Sequence, residues 1–548
     1  MQKINSLLTN KILILVILSG LILRFVGIFH TPPSLYWDEI SIGYNSYTIS
    51  ETLKDEHGRF LPIEAFTAYG DYKAPLYIYL TAPIVKIFGL NYLSVRAISI
   101  ISGTLLILVV FLLSKELFPK NKPIHIISSI FIAISPWSMQ ISRAAFEANL
   151  GVLLATVATL FFLKAYKKPY LIILSAVMFV LSMYSFNGTR YFLPFWITAL
   201  ALWMYFSHGR KVINSKHLAL SCLLGIIMII PLIIFGLTNS GQLRYNEVNI
   251  FSDPQPVIES NRLQKEKNYS FVSKIIYNRR VFHAKNYIKH YFDSFSYRYL
   301  FATGDVNPRF SSQQIGQLYL IEIILLPMGA YFLYKKYKKT FYFLALWVII
   351  SPIAASVARE TPHALRTLQM LPPLTIISSS GILFLINIKN SKLIKIGLSI
   401  IVLSLIGYQF SSFIFDYFTS YSAKYSEHWQ DGYSQLSESL NDQIFENKKI
   451  LITDYYGRAY ANMLYYNKIS LNEYLTTRDA FSEPSGLWTV KAFGSFIFKP
   501  TVSCSDASMA DYLVGTPKDF SDTKAQSIVL DSFGKPKFVI INTNECKK

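Results

Sequence analysis

Two short stretches near the N-terminus hold groups that could do chemistry: the adjacent carboxylates Asp38 and Glu39, and Asp71 with Lys73 two residues on. Further along come Arg143, Glu147, Arg190, Arg244, Asp305, Arg309, His363 and Arg366. An ionised carboxylate can take a proton from a hydroxyl nucleophile, and Lys or Arg can hold an oxyanion by charge-assisted hydrogen bonds. Each residue also has a plainer reading. Asp38 would serve as N-cap of an amphipathic juxtamembrane helix carrying Ile40, Tyr44 and Tyr47, with Tyr36 and Trp37 as interfacial aromatics. Lys73 and Arg143 taken singly read as solvated or snorkelling charges, and Arg24 near the end of the first apolar run as an outward snorkel. His57 and His283 lack a His or Glu partner four residues on, and read as surface histidines.

The elements that must position these groups are membrane spans. The 548 residues are 52% hydrophobic, 15% aromatic and 16% charged, and apolar runs long enough to cross a bilayer recur to about residue 415. About eleven spans are expected, near 12–29, 93–113, 124–139, 144–163, 170–185, 191–206, 218–237, 318–334, 341–357, 365–386 and 396–413. The fold class is therefore an α-helical polytopic membrane protein over 1–415, with a smaller domain over 416–548.

Much of the +20 formal charge sits in alternate connections, at Lys115/Lys120/Lys122, Lys164/Lys167/Lys168, Arg210/Lys211/Lys216, Lys335/Lys336/Lys338/Lys339 and Lys389/Lys392/Lys395. That pattern is a topology signal and not a nucleic-acid surface. It places the N-terminus and those loops in the cytoplasm of a plasma-membrane protein, and puts the tail and the long loops 30–92 and 238–317 outside. The candidate residues then gather at one outer face, as for a single outward cavity. The run 74–88, between Pro75 and Gly89, suits an interfacial or re-entrant helix. In the tail, Lys449–Thr453 and Phe538–Asn542 read as strands and Arg458–Tyr466 as a helix, giving a small α/β domain. Three cysteines exclude a disulfide-rich scaffold and no zinc spacing occurs; Cys504 and Cys546 could pair in an external tail, leaving Cys222 free.

Ordered along the chain stand Pro33-Ser34-Leu35-Tyr36-Trp37-Asp38-Glu39, Asp71-Tyr72-Lys73-Ala74-Pro75, Ser94-Val95-Arg96, Ser135-Pro136-Trp137, Ser142-Arg143, Glu147-Ala148-Asn149, Gly304-Asp305, Asn307-Pro308-Arg309 and Pro362-His363-Ala364-Leu365-Arg366. In this set the chain resembles the GT-C glycosyltransferases, nearest the protein O-mannosyltransferase and aminoarabinose transferase branch. The likeness runs from residue 12 to about 390.

The resemblance implies an outward-facing active site, a polyprenyl-phosphate-linked sugar as donor, and inversion at the anomeric carbon. It makes Asp38 the catalytic base, beside Glu39 as an orienting or metal-contacting group. From the chemistry of the residues themselves, Lys73, Arg143, Arg309 and Arg366 are the candidates to hold the donor phosphate by charge-assisted bonds, and Asp71, Glu147, Asp305 and His363 are further candidate substrate contacts. No cofactor follows from the resemblance; a divalent cation, where one is used, would sit on Asp38 and Glu39. The partners expected are the lipid-linked donor, an extracytoplasmic acceptor (protein, lipid or envelope glycan) and the bilayer, with no nucleic acid. Two other classes compete. A secondary transporter or lipid-linked sugar flippase would show internal repeats and mid-membrane charges, and neither is visible. A non-catalytic receptor would not need the first-loop carboxylate.

Overall fold

The computed structural model describes residues 2–209, 215–238, 241–242, 248–387, 391–483, 488–521 and 524–547. Arg210, Lys211, Arg244 and Lys389, singled out above, lie outside them. Among the described residues six helices are long and apolar enough to cross a membrane: Tyr92–Leu117, Glu147–Lys164, Ser215–Leu237, Lys338–Ala355, Leu368–Asn387 and Leu393–Thr419. The pair Lys122–Ile134 and Pro136–Ser142, bent by 53° at Ser135, makes a seventh when counted as one span. The expected spans at 12–29, 170–185, 191–206 and 318–334 fall on the helices Gln2–Phe25, Leu171–Ser185, Asn187–His208 and Glu322–Lys336, outside that set. The protein is a multi-pass membrane protein.

By internal packing the chain forms two compact units. The first comprises Met1–Arg24, Ile101–Ser142 and Phe146–Ile414; the second comprises Phe25–Ile100, Arg143–Ala145 and Phe415–Lys548.

Helix packing dominates the first unit. Leu171–Ser185 lies against Glu147–Lys164, and Glu322–Lys336 against Leu371–Asn387. The latter pair approach so closely that a Cβ on Gly329 or Gly381 would collide with the facing backbone. Arg24 does not snorkel. It is fully buried and donates to the carbonyls of Gly20 (2.9 Å), Ile132 (3.1 Å) and Ala133 (3.2 Å) and to Ser138 Oγ (2.7 Å). The last three acceptors lie around the bend at Ser135, where carbonyls freed from the helix ladder need donors.

In the second unit the first-loop helix Trp37–Thr52 packs against Pro75–Phe88, whose first residue is a proline already fixed at a helical φ. Trp37–Thr52 is not an amphipathic surface helix. Glu39 through Ser46 are all buried, and its other side takes the tail helix Ala459–Tyr466. Gly43 permits that approach, since a Cβ there would stand 2.6 Å from the Tyr465 ring. Nor does Asp38 cap the helix: Tyr36 occupies the N-cap position, without a side-chain hydrogen bond. Tyr36 is buried edge-on against Trp429, 5.6 Å between centroids, and is not an exposed belt aromatic.

Strands β1 (Phe66–Ala68) and β2 (Asp71–Lys73) form a hairpin with Ala68 opposite Asp71. Its two-residue turn, Tyr69-Gly70, needs the positive φ (92°) that Gly70 supplies. The tail holds β3 (Ile450–Thr453), β4 (Asp479–Ser482), β5 (Trp488–Phe493), β6 (Phe496–Lys499), β7 (Tyr512–Gly515), β8 (Ser527–Leu530) and β9 (Pro536–Asn542). They form one sheet in the order β4-β5-β6-β3-β7-β9-β8, with β3 parallel to β6 and β7 and the remaining pairs antiparallel. Leu451, Leu513, Val539 and Ile541 form a core on one face with Val502 and Phe520. Cys504 and Cys546 are bridged beside that core, their Cα atoms 5.2 Å apart, and Cys222 is free.

Candidate functional site

The β1–β2 hairpin brings three groups to the head of the first-loop helix. Asp71 and Lys73 are two residues apart on β2 and so share one face, and Tyr69 stands at the turn. Asp38 Oδ1 accepts hydrogen bonds from both the Tyr69 hydroxyl and Lys73 Nζ. Lys73 Nζ also donates to Asp71 Oδ2 at 2.8 Å. The Lys73 side chain is 6% exposed, whereas that of Asp38 is 26% exposed, so the ammonium is held inside and the carboxylate keeps an open side. Lys73 is thus no solvated surface charge. Burial pushes the Asp38 carboxyl up and Asp71 adds to the push. The Lys73 charge and the hydrogen bonds from Lys73 and Tyr69 outweigh both, leaving it below the usual carboxylate range. Burial, then the Asp38 charge, drive the Tyr69 phenol well above its ordinary value, so it stays a hydrogen-bond donor.

Glu39 is directed elsewhere. Its carboxylate is fully buried and takes Arg96 Nε (2.9 Å), Arg96 Nη2 (3.1 Å) and the Ala145 amide (2.8 Å). Arg96 in turn donates to the carbonyls of Ile28 (3.0 Å), Pro32 (3.1 Å) and Ser34 (2.6 Å). The pair is a clamp on the start of the first loop. A cation on Asp38 and Glu39 together does not fit, because both oxygens of Glu39 already accept bonds from Arg96 and Ala145. Arg143 is likewise buried, donating to the Thr31 carbonyl (2.7 Å) with its guanidinium over the Phe418 ring at 4.8 Å. It is neither solvated nor a snorkelling anchor.

Two residues that the sequence did not single out belong beside Asp38. One is Tyr69. The other is Arg458, from the loop after β3, whose guanidinium lies 4.6 Å from the centroid of the Tyr69 ring. One of 37 tyrosines carries no signal alone, though the alternation Tyr69, Asp71, Lys73 is that of a strand.

The other candidates lie in the first unit, where Asp305, Arg309, His363 and Arg366 form their own cluster. Buried Asp305 accepts from the amides of Asn307 (2.9 Å) and Ala364 (2.7 Å). Burial raises its carboxyl to about 6 despite those bonds. Burial and the charges of Arg366 and Arg309 push His363 well below the usual imidazole value, which keeps it neutral. Its ring stands 4.8 Å from that of Phe310. Arg309 Nε donates to Asn307 Oδ1 (3.3 Å) and Arg366 Nη1 to the Glu360 carbonyl (3.1 Å). Trp137 Nε1 donates to the Ala364 carbonyl (3.1 Å) and Gln140 Nε2 to that of Arg309 (3.0 Å), so three motifs far apart in sequence meet. Glu147 opens the helix Glu147–Lys164, and Arg190 Nε donates to the Met183 carbonyl (3.0 Å). His57 is enclosed more than expected, edge-on to Trp488 at 4.9 Å and 3.3 Å from Glu56.

Known proteins bear on this arrangement. The dolichyl-phosphate-mannose-protein mannosyltransferase family matches residues 72–235, which include Lys73 and Arg143. The fold is similar to that of ArnT from Cupriavidus metallidurans, solved bound to undecaprenyl phosphate, with 11% identity, 98% of each chain covered and a TM-score of 0.54. The resemblance is to the GT-C glycosyltransferases. The apo structure of the same ArnT gives a TM-score of 0.51 at 10% identity, over 98% of this chain and 97% of that one. A lower score, 0.48 at 14% identity, comes from the oligosaccharyltransferase AglB of Archaeoglobus fulgidus. That comparison covers 84% of this chain and 64% of AglB, so the chain spans less than two thirds of that protein's length. At these identities the likeness is one of fold. No curated protein matches the sequence.

Proposed function

We propose that this protein is a membrane glycosyltransferase that moves a sugar from a polyprenyl-phosphate donor to an extracytoplasmic hydroxyl acceptor, inverting the anomeric carbon. The carrying observation is the shared hold of Lys73 and Tyr69 on Asp38, at the head of the first-loop helix of a GT-C-like fold. In a single displacement the acceptor oxygen bonds to the anomeric carbon from the face opposite the phosphate. Asp38 takes the acceptor's proton, and the bond between that carbon and the phosphate oxygen breaks. That oxygen keeps the bonding electrons, and the Lys73 ammonium stabilises the negative charge that collects on the departing lipid phosphate. Its charge also couples the two ends of the reaction. As Lys73 turns toward the phosphate, Asp38 regains basicity when it is needed. Arg309 and Arg366 are proposed contacts for anionic substrate groups in the other unit, with Asp305, His363 and Glu147 as their polar surroundings.

The domain division is proposed at residue 415, with the N-terminus cytoplasmic and the tail outside. The alternating basic loops support that orientation, and so does the Cys504–Cys546 bridge, since such bridges persist in oxidising compartments.

The test is transfer from, or sugar release out of, purified polyprenyl-phospho-sugar by the protein in detergent. Lys73→Ala is expected to weaken donor binding as well as turnover, because a phosphate contact is lost in ground and transition states alike. An unchanged donor KM in that variant would remove Lys73 from the phosphate site. Activity that needs no lipid-linked donor would overturn the whole reading.

A further inference from the structure

The long loop between the spans carries a helical hairpin, Phe271–Ile276 and Arg279–Asp293, whose two faces differ. One face of Arg279–Asp293 is fixed to the span Lys338–Ala355 and the residues just after it. The Tyr291 hydroxyl donates to the Ile349 carbonyl (2.9 Å) and the Tyr287 hydroxyl to that of Ile353 (3.1 Å), while His290 Nδ1 lies 3.0 Å from the carbonyl of Ala358. Those carbonyls fall in the last two turns of the span and just beyond, so the helix lies within roughly 10 Å of the span's end.

A second face, roughly 120° round the helix from the first, is open and apolar. Val281, Ile288 and Phe292 recur at helical spacing, with Ile288 55% and Phe292 63% exposed, and the preceding turn adds Phe271 at 79%. Lys285 and Lys289 border that stripe on the side away from the span, and across 271–293 five basic residues stand against Asp293 alone. An apolar stripe flanked by lysines at that depth is the pattern of a helix in the bilayer interface, which buries its apolar face about 5–10 Å into the headgroup boundary.

We propose that this hairpin lies in the interface of the membrane the protein spans and binds the anionic headgroups of its phospholipids. Apolar insertion supplies the anchoring. Lys285 and Lys289 supply the preference for negative lipid, on the order of fivefold each.

The experiment uses the full chain with Cys222→Ala and a fluorophore on Ile288→Cys, compared with one on Lys265→Cys, which is exposed on the neighbouring helix Gln255–Glu266. In bilayers, nitroxide-bearing lipid is expected to quench the Ile288 probe and not the Lys265 probe. Nitroxide on anionic lipid should quench several-fold more strongly than the same fraction on zwitterionic lipid. Lys285→Glu with Lys289→Glu should erase that difference while quenching by lipid persists. Quenching of the Ile288 probe by aqueous iodide instead of lipid would overturn the proposal, as for a face reserved for a protein partner. Equal quenching by the two lipids would overturn the headgroup preference, and that comparison needs no lysine variant to fold.

A different observation points to Arg458, whose role rests on the transferase reading of Asp38. Arg458 comes after the C-terminal end of β3, the strand with parallel neighbours on both sides, where α/β sheets place ligand-contacting loops. Its backbone is left-handed (φ 59°), a conformation uncommon outside glycine. The loop is held by buried Gln430, which donates to the Tyr456 carbonyl at 2.9 Å, and by Asp454, which accepts from the Ala459 amide at 2.6 Å. So pinned, the guanidinium covers the ring whose hydroxyl is bonded to Asp38.

We infer that Arg458 is a positioning residue, by which the tail fixes Tyr69 on Asp38. Lys73, Asp71 and Tyr69 are the titratable groups around that carboxylate. Arg458→Ala should therefore lower kcat about tenfold with donor KM within about twofold, and move the acid limb of the pH profile upward as Asp38 loses a donor. Arg458→Lys should restore most of the rate. In a Tyr69→Phe background, Arg458→Ala should cost less than about twofold, because the hydroxyl it positions is already gone. Additive losses or an unmoved acid limb would overturn this role. An inactive wild type would instead overturn the transferase reading.

Discussion

Asp38→Asn is expected to lower sugar transfer by roughly two or more orders of magnitude, with the protein still folded and donor binding largely intact. The amide cannot take a proton at neutral pH, yet it keeps the size and one acceptor oxygen for the Tyr69 hydroxyl. Loss of a helix cap cannot account for such a result, since the Asp38 side chain caps nothing and Asn would replace it in that role. The pH profile gives a second reading. The Asp38 carboxyl is held below the ordinary range of about 4, so activity should be retained through mildly acidic pH and fall only as pH drops through that lowered value. Transfer, lipid binding and thermal unfolding measured on the same preparation decide the matter. Near-normal transfer by the Asn variant would end the assignment of Asp38 as base.

The parts of this molecule that sequence could give are those fixed by local pattern. Pro75 and Gly89 bound a short apolar run, and the helix there is Pro75–Phe88. The apolar runs Lys449–Thr453 and Phe538–Asn542 lie on β3 and β9, and Arg458–Tyr466 on the helix Ala459–Tyr466. Strands such as β4, four mostly exposed residues at the sheet edge, carry too little hydrophobic alternation to stand out. What the sequence misjudged are charges whose partners lie far along the chain. Arg24 at the end of an apolar run looks like a snorkel until the bend at Ser135 supplies carbonyls more than a hundred residues away. Glu39 beside Asp38 looks like its chemical partner, and only tertiary structure shows the helix turning it toward Arg96.

That division between neighbouring carboxylates yields the second large effect. Glu39→Ala should act on the fold and not specifically on the reaction. It leaves the Arg96 guanidinium buried with its charge uncompensated and takes the acceptor from the Ala145 amide. Removing one partner of a buried ion pair costs about 3–5 kcal/mol, a large part of the stability of an ordinary domain. Three carbonyls of the first loop, those of Ile28, Pro32 and Ser34, also depend on where Arg96 is held, so the damage should spread to the segment leading into Asp38. Glu39→Gln keeps the shape and one acceptor oxygen but sets an amide N–H against the guanidinium, and should fall between the two. The expected order of unfolding midpoints in detergent is therefore wild type, then Gln, then Ala. Transfer should fall in proportion to the folded fraction, and donor affinity of the folded fraction should stay near that of wild type. Asp38→Asn should give the reverse pattern, with an almost unchanged midpoint and transfer nearly gone. A Glu39→Ala protein that unfolds like wild type yet transfers no sugar would show that Glu39 acts in the chemistry after all, and that the Arg96 clamp is not what it is there to provide.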